Sequence, residues 1–125
     1  MILDTNALSA FADGDEDLAR TLSSVPLPCI PSIVLGEFRY GILGSKFHAR
    51  YERWLQSSIP AFSILSVDGD TTVHFASIRH GLRTRGTPIP ENDIWIAALG
   101  KQYSLPILSR DGHFSLVPEV RQITW

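Results

Sequence analysis

Four carboxylates stand at positions in this 125-residue chain where a folded domain could gather them into one site. One follows an apolar N-terminal run, one borders the apolar face of a helix, one lies early in another helix, and one follows a late strand: Asp4, Glu37, Asp93 and Asp111. Carboxylates brought together repel one another unless they are protonated or bridged by cations. Oxygen ligands select hard ions such as Mg²⁺ or Mn²⁺. The acids therefore predict a divalent-metal site suited to phosphoryl chemistry.

Each acid alone also has a purely structural interpretation. Asp93 could favour the start of a helix, Asp111 could be a turn residue, and Asp4 could form an Asx-turn. Glu37 borders an apolar helix face, where it needs a partner because burying an unpaired carboxylate is costly. The joint placement of the acids, rather than any one of them, favours the metal site.

The elements that must position these acids alternate between strands and helices. Short apolar runs predict strands at residues 1–4, 29–30, 62–67, 106–109 and 120–125. Apolar residues at helical spacing predict helices at residues 15–22, 33–43, 46–58, 68–85 and 94–99. Ser32 and Asn92 are expected to cap the helices that follow them. This alternation predicts a parallel α/β sandwich with ligands at the carboxyl ends of the strands.

The composition narrows the class of protein. A chain that is 44% hydrophobic and 19% charged fits one globular domain over residues 1–125. A net charge of -2 disfavours a protein held to nucleic acid by charge alone, although bound metals would restore positive charge at an acidic site. The single Cys29 fits a reducing compartment. Since the sequence shows neither an export signal nor a membrane span, a cytoplasmic protein is expected.

Four sequence blocks resemble the PIN domain, and most closely the toxin ribonucleases of VapBC-type toxin-antitoxin pairs. They are LDTNALSA at 3–10, PSIVLGEFRYGI at 31–42, GTPIPENDIWIAAL at 86–99 and LSRDGHFSLVPEV at 108–120. The resemblance implies a single three-layer α/β/α PIN-like domain, with a central and mainly parallel sheet of four to five strands. It also implies an endoribonuclease dependent on Mg²⁺ or Mn²⁺, the toxin component of a type II toxin-antitoxin system.

By this resemblance the four acids are the catalytic, metal-binding quartet. Asp4 and Asp93 are expected to be the principal metal ligands. Glu37 is expected to bind the metal or to orient the attacking water, and Asp111 to bind a second metal or to act through water. A metal-activated water would then hydrolyse the phosphodiester bond, and no nucleophilic side chain is required.

The candidate substrate contacts are polar or basic side chains: Thr5, Asn6, Ser109, Arg79, Arg83 and Arg110. The resemblance implies that the first three lie at or near the site. Arg79 and Arg83 are four residues apart, which puts two guanidiniums on one helix face and fits a phosphate track or a solvated face equally well. Arg110 could contact a phosphate or form an ion pair. His113 is interpreted as a surface or structural residue that the mechanism does not need.

The resemblance implies an RNA substrate, a homodimer, and a small cognate antitoxin that covers the site. Residues 33–58 carry more aromatic and aliphatic side chains than a small core hides, so part of this segment is expected to bind protein. A receiver-like signalling domain is a competing hypothesis, with Asp68 as its middle acid. It also predicts an early acidic pair, which is absent, and a lysine directly after a late strand, where this chain has Ser109 and Arg110. Two more hypotheses are an inactive PIN-like interaction module and a nuclease that acts on DNA.

Overall fold

The structure, a computed structural model, describes residues 1–125. Five strands form its centre: β1 (Ile2–Leu3), β2 (Cys29–Pro31), β3 (Ser63–Leu65), β4 (Ile107–Leu108) and β5 (Gln122–Ile123). They pair in parallel throughout, in the order β3-β2-β1-β4-β5. Six helices connect them: α1 (Thr5–Ala12), α2 (Glu16–Ser23), α3 (Ser32–Leu43), α4 (His48–Ser58), α5 (Gly69–Arg85) and α6 (Glu91–Tyr103). The expected α/β fold with a parallel sheet of four to five strands is confirmed.

The order of the strands sets where a site can form. The chain winds from β1 outward to β2 and β3, and then crosses back to β4 and β5 on the other side of β1. Because parallel crossovers are right-handed, α1–α4 cover one face of the sheet while α5 and α6 cover the other. The winding therefore reverses between β1 and β4, and α/β sheets bind ligands at such a reversal, beyond the carboxyl ends of the strands.

One cluster of 26 buried apolar residues surrounds the sheet. It includes Phe114, which is fully buried in a 3-10 turn (Gly112–Leu116) that follows β4. A second 3-10 turn (Ile59–Ala61) leads from α4 into β3. None of the helices combines the length and the apolar character that crossing a bilayer requires.

Helix α1 is an element that the sequence patterns do not predict. It begins directly after β1, at Thr5, with no loop between the strand and the helix. Only Ala7 and Leu8 are buried in it, so its apolar period is too short to be read from the sequence. The segment Asp4–Asn6 is thus both the exit of a strand and the first turn of a helix.

The prediction that Ser32 and Asn92 cap helices is wrong. Ser32 is the first residue of α3, Asn92 lies within the first turn of α6, and neither helix has a side-chain cap. The residues directly before the two helices, Pro31 and Pro90, occupy the cap positions with φ angles of -60° and -54°. Proline fixes φ near these values, so the backbone enters each helix without a capping side chain. Helix α6 also extends beyond the predicted end, to Tyr103.

The start of α5 is held by a complete capping box. The Asp68 carboxylate accepts the N–H of Thr71 at 3.0 Å, and the Thr71 hydroxyl accepts the N–H of Asp68 at 3.0 Å. Gln102 of α6 donates to the same carboxylate at 3.1 Å, which ties the two helices together. These hydrogen bonds, led by the Thr71 N–H, lower the pKa of Asp68.

Replacing Phe114 by alanine is expected to lower the free energy of unfolding by about 3–5 kcal/mol, because the change leaves a cavity beneath the turn that follows β4. Urea unfolding followed by circular dichroism measures the loss. Phe47→Ala is the matched control, since this side chain is 48% exposed and its removal opens no cavity. Equal losses in the two variants would contradict the placement of Phe114 in the core.

Asp68→Asn is expected to make stability less dependent on pH. Because the folded pKa of Asp68 lies below the unfolded value, its ionised form adds stability above the unfolded pKa. That contribution is lost as pH falls through the folded pKa. The wild type should therefore have the higher urea midpoint at neutral pH, and the two midpoints should converge in acid, below about pH 3.9. Identical midpoints at neutral pH would show that the charge contributes nothing.

Candidate metal centre

Asp4 is the most enclosed of the four acids, with 4% of its surface exposed. Its main chain precedes α1, but its carboxylate does not cap the helix. Instead, Asp4 Oδ2 accepts a hydrogen bond from Asn6 Nδ2 at 2.8 Å and another from Ser109 Oγ at 2.8 Å. The pairing of Leu3 with Leu108 makes this possible, because the next residue on each strand is then Asp4 or Ser109.

Ser109 and Asn6 connect Asp4 to the loop that follows β4. The buried Ser109 Oγ accepts a hydrogen bond from Asn6 Nδ2 at 3.0 Å and from the Asp111 N–H at 2.9 Å. Asn6 Oδ1 accepts the N–H of Arg110 at 3.2 Å. Ser109 and Asn6 both lie beside Asp4 and orient its carboxylate. Their contact with a substrate remains a prediction.

Asp93 and Asp111 converge on the ring of His113. Asp93 lies in the first turn of α6, and Asp111 precedes the 3-10 turn, where its Oδ1 accepts the N–H of His113 at 2.9 Å. His113 Nδ1 lies 2.8 Å from Asp93 Oδ2 and 3.0 Å from Asp111 Oδ1. Asp93, Asp111 and His113 each offer one potential metal-ligand atom, and these three atoms lie within 4.8 Å of one another.

Glu37 lies on α3, and its carboxylate meets the start of α1. The Thr5 hydroxyl donates to Glu37 Oε1 at 3.1 Å. Both side chains line a cavity of about 330 Å³ between α1, α3 and α4. Thr5 therefore holds Glu37 from the segment that also carries Asp4.

The charges of the four acids act on one another. Burial raises the pKa of Asp4, the hydrogen bond from Ser109 opposes that rise, and the charges of Asp93 and Glu37 add to it. Burial also raises the pKa of Asp93, His113 opposes this rise, and the charges of Asp111 and Glu37 add to it. Asp4 and Glu37 thus act on Asp93 through their charges, but neither belongs to the close group of Asp93, Asp111 and His113.

No lysine or arginine forms an ion pair with any of these carboxylates. No side chain with a permanent positive charge therefore balances these carboxylates. His113, when it is protonated, is the only cationic side chain that pairs with them. Carboxylate oxygens and an imidazole nitrogen are ligands of divalent metals. The donor set fits a divalent cation.

The Arg110 side chain contacts groups other than the four acids of the site. Its guanidinium donates to the main-chain oxygen of Trp125 at 3.0 Å and lies 4.2 Å from the centre of the Trp125 ring. It also lies 3.7 Å from Asp15 Oδ2. These contacts favour the ion-pair interpretation of Arg110 over the phosphate contact.

Arg79 and Arg83 line a separate cleft at the start of α6, with a volume of about 430 Å³. Arg79 Nη1 lies 4.0 Å from Glu91 Oε1, and both side chains are mostly exposed. Neither arginine pairs with one of the four acids, so their part in binding RNA remains a prediction.

His113 is the site residue that reasoning from the sequence missed. Its position two residues after Asp111 is the one local signal, because the 3-10 turn brings both side chains to the same side. Asp68, the middle acid of the receiver-like hypothesis, lies outside the site. Its carboxylate caps α5 and is bonded to Thr71 and Gln102, so it does not join the other acids.

Comparison with known proteins identifies the family of this chain. Residues 1–120 match the family described as PIN domain. The chain is 33% identical over 121 residues to Toxin FitB of Neisseria gonorrhoeae, covering 89% of this chain and 87% of the relative. It is 31% identical over 94 residues to Ribonuclease VapC4 of Mycobacterium tuberculosis, covering 74% and 72%. A DNA-bound VapBC structure from Salmonella typhimurium superposes with a TM-score of 0.89 at 26% identity, covering 99% and 96%. The chain belongs to the PIN domain family.

Proposed function

We propose that this protein is an endoribonuclease dependent on Mg²⁺ or Mn²⁺ and the toxin of a type II toxin-antitoxin pair. The observation that carries the proposal is that four carboxylates without a lysine or arginine partner lie at the reversal point of a parallel sheet and are linked through Thr5, Ser109 and His113: Asp4, Glu37, Asp93 and Asp111. The relatives named Toxin FitB and Ribonuclease VapC4 match this chain over most of its length, which supports the same activity here.

Each acid of the site has its own role in the proposed reaction. Asp4 and Asp93 would be the principal metal ligands, and Asp111 would complete the site from the loop after β4. A divalent ion held there would neutralise the phosphate and lower the pKa of the attacking water. Glu37 is fixed through Oε1 by Thr5, which leaves Oε2 free of protein partners and able to accept a proton from water or to bind the ion. The oxygen-rich ligand set favours Mg²⁺ or Mn²⁺.

The proposal includes protein partners. Tyr40 and Leu43 of α3 are 81% and 74% exposed, and Phe47 follows them, also exposed. Exposed aromatic and aliphatic groups of this kind mark surfaces that bind protein. We infer that residues 1–125 act as one domain, that a small antitoxin covers the site, and that the protein forms a homodimer. The Salmonella typhimurium VapBC structure supports the antitoxin.

Asp93→Asn is expected to reduce cleavage of labelled RNA by more than about 100-fold, since it removes a ligand charge and even supporting residues around metal sites cost 10–100-fold. Wild type and variant are compared in Mg²⁺ or Mn²⁺ and in EDTA, with DNA of the same sequence as a second substrate. Asp17→Asn is the control, because Asp17 is exposed and pairs only with Arg20.

EDTA should abolish cleavage, and RNA should be cut in preference to DNA. Inhibitor-free protein that cuts neither nucleic acid would support the inactive interaction module. Preferential cutting of DNA would support the DNA nuclease. Full activity of Asp93→Asn would remove the metal site from the mechanism.

Ser109→Ala is expected to lower RNA cleavage by about 10–100-fold and to raise the metal concentration needed for half-maximal activity, as seen for residues that orient metal ligands. The change removes the hydroxyl that donates to Asp4 and accepts from the Asp111 N–H. Ser57→Ala, in an exposed serine that bonds only the main chain of its own helix, should leave both values unchanged. An unaltered metal requirement in Ser109→Ala would show that Asp4 does not depend on Ser109.

A further inference from the structure

His113 is held in place by its own backbone and by the core. Its N–H is bonded to Asp111 Oδ1 at 2.9 Å, and the next residue, Phe114, is fully buried. The ring therefore projects from an anchored turn toward α6, where Nδ1 meets Asp93.

The spacing of the three donor atoms fits a shared ion. Two ligand atoms on adjacent corners of an octahedral ion with bonds of about 2.1 Å lie about 3.0 Å apart. Nδ1 of His113 lies 2.8 Å from Asp93 Oδ2 and 3.0 Å from Asp111 Oδ1. These two nitrogen–oxygen separations match those of neighbouring ligands, and one ligand atom from each of the three side chains lies within 4.8 Å of the others.

We propose that His113 is a nitrogen ligand of the metal centre, sharing one divalent ion with Asp93 and Asp111. This inference rests on the metal site of the proposed function but not on the identity of the nucleic acid that is cleaved. Imidazole favours transition metals, whereas all-oxygen sites suit Mg²⁺. His113 therefore shifts the preference of this centre from Mg²⁺ toward Mn²⁺.

The side-chain surroundings of His113 are compatible with this role. Its side chain is 41% exposed, so Nε2 can keep a proton and donate it to water while Nδ1 binds the ion. Asp93 is the more enclosed partner, with 13% of its side chain exposed, and Asp111 lies at the rim with 35%. An ion could thus enter from the side of Asp111 and His113.

Mn²⁺ itself is the probe that tests the proposal. Full-length protein carrying ¹⁵N-labelled or unlabelled histidine is loaded with less than one equivalent of Mn²⁺ and examined by pulsed electron paramagnetic resonance. The wild type is expected to show modulation from a directly bound nitrogen that changes to the ¹⁵N pattern with labelled histidine. His113→Ala should lose this signal, and His80→Ala, in an exposed residue of α5, should retain it.

Titration calorimetry provides a second readout that does not depend on activity. His113→Ala is expected to weaken Mn²⁺ binding by about 10-fold or more. Mg²⁺ binding should weaken by less, so the ratio of the two affinities should fall. Circular dichroism checks the fold, and His113→Gln, which also lacks an imidazole, replaces the alanine variant if that variant does not fold.

Two results would overturn this proposal alone. Bound Mn²⁺ without histidine modulation, or Mn²⁺ binding equal to or tighter than that of the wild type in the His113 variants, would show that the ring is not a ligand. The proposed ribonuclease could then still stand on the four carboxylates. Failure of the wild type to bind Mn²⁺ or Mg²⁺ at all would instead overturn both proposals.

Discussion

Strand β1 is two residues long, yet it lies between β2 and β4 at the centre of the sheet. Its register with β4 determines which side chains meet beyond the strands, because Ile2 pairs with Ile107 and Leu3 with Leu108. A shift by one residue would point the following side chains to the opposite face of the sheet. Asp4 would then lose Ser109, and the loop that carries Asp111 would lose its anchor.

The negative charge at the site does not itself stabilise the fold. Asp4 is buried beside other carboxylates, and burial raises its pKa and that of Asp93. Hydrogen bonds from Ser109 and Asn6 offset part of the cost of keeping Asp4 ionised. A cation bound only by the folded state would relieve the remaining repulsion and stabilise the fold at the same time. Repulsion among the carboxylates and an affinity of the site for a cation would thus have one cause.

The two sides of the site differ in how they are supported. On the side of β1, short hydrogen bonds among Asp4, Asn6 and Ser109 leave little freedom of orientation. On the side of α6, the ring of His113 lies between Asp93 and Asp111 at a more exposed rim. This asymmetry fits an enclosed principal ligand and an open edge at which an ion, a water and a phosphate would meet.

Much of this arrangement could be predicted from local patterns. Alternating apolar periods and prolines indicated the order of strands and helices, and acids beside apolar runs indicated where charge would collect. Helix α1 was missed because its apolar period is short, and the true starts of α3 and α6 were missed because proline replaced a capping side chain.

The sequence by itself determined the alternation of elements and the acids at their ends, because period, cap and turn preferences act between residues close in the chain. Only the tertiary structure decided that His113 meets Asp93, 20 residues away, and that the Arg110 guanidinium lies over the Trp125 ring. Such pairings depend on strand register and on the packing of α6 against the 3-10 turn. No local preference encodes them, since they arise only when distant segments share one core.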